Sequence, residues 1–193
     1  MIMVPEVDHR IEGVARAEKQ FQKDTAGAAA SVIRMMPHVR AMKPKSAKLV
    51  LRAQRTLAVA LVRHGGALPV EKELPRYAQG TWLGKTAEEK KANLEWAVEI
   101  LRQVNDVKKD DAAVQTDLGE AMAAVDATKA EGRALLEKLA EKDLVASPEA
   151  YAALARLRAD AGDHEGTRLA MQRCEAMAGS AAAVCRPAEQ AHS

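Results

Sequence analysis

Five histidines, two cysteines and 27 carboxylates are the groups from which this 193-residue chain would have to assemble a catalytic or metal centre. His9, His38, His64, His164 and His192 are scattered along it, with no His-Glu-x-x-His pair and no Cys, His and Asp set that would couple a nucleophile to its base. The paired acids Glu88-Glu89 and Asp110-Asp111 sit at helix beginnings, where the positive end of the helix dipole accounts for them. Gly80-Thr81-Trp82-Leu83-Gly84-Lys85-Thr86 has the Gly-Lys-Thr ending of a phosphate-binding loop. It has three residues between its glycines where that loop needs four, and no strand precedes it. A helix capped by Thr86 is sufficient explanation. No catalytic residue, no cofactor and no metal are expected.

Cys174 and Cys185 lie 11 residues apart and symmetrically about Gly179-Ser180. A hairpin turning there would bring them opposite one another at disulfide distance, stapling the last short helix and implying an oxidising compartment. The other reading is two reduced residues, with Cys174 a small core residue at a helix contact. Both stand at this point. Neither cysteine has a histidine at ligand spacing, which argues against metal. Met1-Ile2-Met3-Val4-Pro5-Glu6 lacks the basic, apolar, small-residue order of a secretory signal. A primary product would then be cytoplasmic, whereas a disulfide would mark a periplasmic or exported mature chain.

Charge is more informative. The net charge of +2 conceals 15 Lys and Arg against 7 Asp and Glu in residues 1–85, and 14 against 20 in residues 86–193. No acid occurs between Asp24 and Glu71, a stretch that holds Arg34, Arg40, Lys43, Lys45, Lys48, Arg52, Arg55 and Arg63. On a helix over 46–64, Lys45, Lys48, Arg52, Arg55 and Arg63 project into one sector of about 80°. Arg34, Arg40 and these five are the candidate partner-binding residues. Such a stripe suits an acidic protein segment, a polyanion or the acidic half of another copy; the competing reading is a solvated face, or one paired with Glu71 and Glu73. Nucleic acid is disfavoured, because no aromatic residues interleave for base stacking and the net charge is small.

The elements that carry these residues are helices. Forty alanines and an aromatic content of 3% leave a core of Leu, Val, Met and Ala, which favours short helices in close approach. Apolar residues recur at helical spacing, and caps punctuate the runs: Ser46 after Pro44, Thr86 with Glu89, Thr128 with Glu131, and Ser147-Pro148-Glu149. The spacing predicts helices over 6–23, 26–42, 46–64, 87–107, 111–126, 130–142, 148–161 and 164–178, with a short one at 180–185. Residues 65–85, with Pro69, Pro75 and four glycines, read as a long loop with one short helix at 70–78. Trp82 in that loop is read as sealing it onto the body rather than anchoring a partner. No apolar run approaches the ~20 residues of a membrane span.

Leu118-Gly119 and Leu154-Ala155 lie 36 residues apart at the same place in their helices. After the second pair come Gly162-Asp163 at a turn, Thr167, Cys174, and Ala178-Gly179 near the helix end. This pattern resembles the tetratricopeptide repeat, a helix-turn-helix unit of ~34 residues with small residues where its helices touch. Glu149 to Gly179 fits best, Ala112 to Pro148 is a longer unit, and Ile11 to Pro37 is a degenerate third with Ala28 in the small position. Met122 and Arg158 stand where the family prefers aromatic residues. The resemblance implies stacked antiparallel hairpins that present a surface to another protein. The expected fold is all-α, one helical domain over 1–193 with an N-terminal hairpin at 6–42 and C-terminal hairpins at 111–142 and 148–178, either a solenoid or an irregular alanine-rich bundle. The expected function is a non-enzymatic protein-protein interaction scaffold or adaptor, with polyanion binding as the alternative.

Overall fold

A computed structural model describes residues 9–21, 23–43 and 48–186. The regular elements among them are all helical, so the chain is all-α. The sequence reading treats 1–193 as one domain; its contacts divide it into two compact units, Met1–Ile100 and Leu101–Ser193. The long helix α5 (Ala87–Val107) carries the chain from one to the other.

In the first unit, α1 (His9–Phe21) and α2 (Thr25–Met35) form an antiparallel pair. Asp24 makes the reversal, its carboxylate accepting the Gly27 amide at 2.8 Å as an N-cap. Ala28, Ala29 and Ala30 of α2 are fully buried together with Val14 and Ala17 of α1, so the pair closes on small side chains. The spacing predicts α2 to residue 42; it stops at Met35. Pro37 has no amide to donate and pushes Met36 out of the helical region, to φ −136° and ψ 70°. A 3-10 turn over Val39–Ala41 follows.

Next comes α3 (Lys48–Arg63), which packs on both α1 and α2. Ala53, Leu57, Ala60 and Leu61, at helical spacing, fill the centre of the unit. The expected Ser46 cap and Pro44 lie outside the described residues. The helix ends at His64-Gly65-Gly66, where Gly66 takes φ +82° and sends its amide to the Leu61 carbonyl at 2.8 Å. A Cβ on Gly66 would stand 2.4 Å from the Lys90 carbonyl oxygen, so glycine is required by the approach of α5 as well as by the turn.

Residues 65–85 are anchored throughout: Leu68, Val70, Leu74, Ala78 and Trp82 are all buried in the same core. The short helix expected at 70–78 forms later, as α4 (Arg76–Gln79), because Pro75 is extended and the chain turns over 71–74 before it. A 3-10 turn over Gly80–Leu83 then leads to α5, which is capped by Thr86 as expected, while the return bond of Glu89 goes to the residue before the cap. The Glu89 amide reaches Thr86 Oγ1 at 3.2 Å, and the Glu89 carboxylate accepts the Lys85 amide at 2.7 Å.

The second unit holds α6 (Ala112–Ala123), α7 (Lys129–Glu141), α8 (Pro148–Asp160) and α9 (His164–Ala178). α6 pairs with α7 and α8 with α9, and α8 also packs against α6 and α7. Asp111, Ser147 and Asp163 cap α6, α8 and α9 by accepting amides of the first turn. The expected Thr128–Glu131 box does not form. The Thr128 hydroxyl instead donates to the Met122 and Val125 carbonyls at 3.0 and 3.2 Å, satisfying the end of α6, which stops at Ala123 rather than 126.

Gly119 and Gly132 set the α6–α7 spacing. A Cβ on Gly132 would lie 2.7 Å from the Ala123 nitrogen and 2.9 Å from Met122 carbons, and one on Gly119 would meet Leu136 at 2.7 Å. Between α7 and α8 the Ala146 amide donates to Thr116 Oγ1 at 3.1 Å, tying the connection to α6. The core of this unit is Leu136, Leu139, Leu154, Leu157, Tyr151 and a set of alanines.

After α9 a 3-10 segment, Gly179–Cys185, folds back onto α8 and α9. Cys174 and Cys185 are joined by a disulfide with S–S 2.06 Å and Cα–Cα 5.8 Å. Both are buried. The hairpin symmetry about Gly179-Ser180 thus produces the staple, and the reading of two reduced cysteines is replaced.

Candidate functional site

The candidate basic residues are brought to the first unit but not to a single uninterrupted stripe. Lys45 lies outside the described residues. On α3, Lys48 is exposed at the first turn and Arg52 stands one turn further on the same face. Arg52 is gripped by Glu18 of α1 through both arms of the guanidinium, Nε to Oε1 at 2.9 Å and NH2 to Oε2 at 2.5 Å. The pair is open to solvent, the two side chains being 41% and 37% exposed. Hydrogen bonding to Glu18 raises the Arg52 pKa above its ordinary value, so its charge is permanent. Arg55 is half-buried and has interactions of its own. Arg63 lays its guanidinium over the Phe21 ring at 5.4 Å, a cation–π contact that ties the end of α3 to the end of α1.

Arg34 and Arg40 serve the 65–85 segment instead. The Arg34 guanidinium donates to the Glu73 carbonyl at 3.1 Å and to Ser31 Oγ at 3.3 Å. Arg40 is at the centre of a knot: its guanidinium carbon lies 5.2 Å from the ring centres of both Trp82 and Trp96, which meet edge to face at 5.5 Å and 78°. Its NH1 donates to Asn93 Oδ1 at 2.6 Å and to Thr81 Oγ1 at 3.0 Å. Asn93, fully buried, completes the knot by donating from Nδ2 to the Gly66 and Thr81 carbonyls, both at 2.7 Å. Burial lowers the Arg40 pKa from its ordinary value, the mark of a structural cation. Trp82 is 5% exposed and does seal the loop onto the body.

The acids named as internal partners behave differently from that expectation. Glu71 pairs with Lys85 at 3.3 Å on the surface, and Glu73 receives Arg34 through its backbone carbonyl rather than its carboxylate. Glu18 of α1 is the acid that meets Arg52 on α3. Sequence reasoning missed it and Asn93 alike, since each is separated from its partner by a helix turn-back. The one trace of Asn93 is a lone amide side chain at the apolar positions around Leu94, Trp96 and Ala97. At the far end of α3, burial holds the His64 imidazole below its usual range, Thr25 Oγ1 lies 2.8 Å from its Nε2, and the ring adds no charge to the face near neutral pH.

What remains accessible is the α1–α3 surface. A shallow open depression there is lined by Ala15, Glu18, Lys19 and Arg52, with exposed Arg16 beside it on α1 and Lys48 beyond it on α3. Arg52 and its neighbouring lysines are groups whose charge and fork geometry suit carboxylates, and Glu18 is the carboxylate on the fork. Among the described residues no group of three His, Cys, Asp or Glu side chains is placed to hold a metal ion, and no helix is long and apolar enough to cross a membrane. No protein-family model, curated protein or solved structure matches this chain.

Proposed function

We propose that this chain is a non-enzymatic adaptor that binds another protein, using tetratricopeptide-like hairpins as its frame and the α1–α3 face as a seat for an acidic segment. The observation that carries the reading is the packing of α8 against both α6 and α7 as well as against its own partner α9. A helix seated on both members of the preceding hairpin is how repeat units stack, and stacked units offer surface without needing a pocket. Supporting it, Leu118 with Gly119 and Leu154 with Ala155 occupy matching buried positions in α6 and α8. Thr167 Oγ1 meets the Ala155 carbonyl at 3.5 Å where the repeat requires a small residue. The disulfide suits work in an oxidising compartment, which further disfavours nucleic acid as the natural partner.

The test is capture of a stoichiometric partner from the native host by the wild type and by the Arg52→Glu, Arg55→Glu double variant, with helix content followed by far-ultraviolet circular dichroism. Loss of capture with helix content intact supports the reading, and unchanged capture removes the basic face from it. Polyanion binding is the competing outcome. It would show as an affinity for a single-stranded oligonucleotide that falls by roughly one power of salt concentration per phosphate contact.

A further inference from the structure

The α1–α3 face contains its own bound carboxylate. Arg52 has five donors in a planar fork, and the geometry such a fork prefers, two parallel bonds to one carboxylate, is occupied by Glu18. Both side chains are more than a third exposed and line an open depression, so the pair is reachable from solvent. An ion pair of this exposure contributes little to folding, and its partners are exchangeable. Around it the charges are uneven. Lys19 lines the same depression and Lys48 stands one turn before Arg52, both exposed, while among the described residues that line it Glu18 is the only acid. Removing Glu18 from the fork would leave Lys19 and Arg52 as the charged groups among the described lining residues.

From this we infer that Glu18 is a resident competitor: an acidic peptide segment binds the α1–α3 face by placing one of its own carboxylates on the Arg52 fork, displacing Glu18, with Lys19 and Lys48 taking neighbouring carboxylates. The inference rests on the proposed adaptor function and specifies how its acidic partner is admitted. Glu18 then sets a threshold. A lone carboxylate gains nothing by exchange, since one Arg–carboxylate pair replaces another, whereas a segment with several acids gains the lysine contacts as well. The face therefore discriminates by acid density rather than by the presence of an acid.

The experiment measures binding of a fluorescein-labelled decaglutamate peptide by anisotropy at low salt, for the wild type, Glu18→Gln, Glu18→Ala, Arg52→Gln and the Glu18→Gln, Arg52→Gln double variant. The two Glu18 variants are expected to bind about three- to fivefold tighter, the range set by the strength of an exposed pair. Arg52→Gln is expected to bind more weakly, and the double variant no more tightly than Arg52→Gln. In the wild type the Arg52 Nε–Hε resonance should shift as peptide is added, a signal that does not depend on any substitution. If Arg52→Gln weakens binding while neither Glu18 variant tightens it, the exchange is wrong and the acidic-partner reading stands. If Arg52→Gln binds as the wild type does, or no form binds the peptide, both fall.

Discussion

Asn93 shows how much one polar side chain can hold. Its amide and carbonyl use three bonds to join the end of α3, the 3-10 turn before α5 and the Arg40 guanidinium, from a side chain that is itself fully buried. Truncation to alanine leaves the Gly66 and Thr81 carbonyls without that donor and Arg40 without its closest acceptor, and each such bond has a net worth of roughly 1 kcal/mol. Asn93→Ala should therefore destabilise the protein by about 3 kcal/mol in urea denaturation, with a red shift of tryptophan emission as Trp82 and Trp96 gain water. A loss below about 1 kcal/mol would mean the knot is looser than its geometry. The cations of α3 were legible as a set, because helical spacing places Lys48, Arg52 and Arg55 on that helix, whereas Arg34 and Arg40 turn to the 65–85 segment. Which of them are neutralised was not, since Glu18 lies 34 residues from Arg52 and Asn93 lies 53 from Arg40.

At the scale of the element, stop signals that act within the chain were readable, and signals that act between helices were not. Ser147-Pro148, Asp163 and Thr86 cap where local chemistry places them. Pro37 ends α2 by the ordinary steric rule, which the apolar spacing out to residue 42 obscured. Thr128 has the residue type of a cap and the wrong surroundings, since the open carbonyls of α6 lie within its reach and compete for the hydroxyl. Gly132 carries the most specific consequence. Alanine would favour the isolated helix by about 1 kcal/mol, yet its Cβ would meet backbone atoms of α6 that cannot rotate away. Overpacking of that kind costs roughly 1–3 kcal/mol, so Gly132→Ala should lower stability in spite of the better helix former. Thermal unfolding followed at 222 nm decides it, and a raised midpoint would show that α6 and α7 separate freely.

On the scale of the whole molecule the disulfide is the clearest lever. It closes a loop of 11 residues and pins the Gly179–Cys185 segment to α8 and α9 in a unit whose last helix buries only Ala170 and Cys174 fully. Cross-linking a loop of that length stabilises by about 3 kcal/mol in the chain-entropy account. Reduction, or Cys185→Ser, should accelerate amide exchange in α8 and α9 by about a hundredfold, read by mass spectrometry of peptic fragments. Protection unchanged by reduction would assign the packing of that unit to its alanine and leucine core alone. The charge asymmetry also belongs to this scale. The basic residues 1–85 fall within the first unit, so the field that would draw an acidic partner originates there.

Legible in the amino-acid sequence were the all-helical class and the course of five of the nine α-helices among the described residues, α3, α5, α7, α8 and α9, to within two residues at each end, with the cysteine staple as one of two open readings. These follow from near-neighbour physics: helical spacing, caps, glycine and proline stops, and the symmetry of a single hairpin. Only the tertiary structure decided which carboxylate meets Arg52, that Arg40 belongs between two tryptophans, and that Gly66 and Gly132 are close-approach positions. Each of those depends on which helix faces which, and that is settled by the joint burial of many small side chains whose individual identities say almost nothing about their partners.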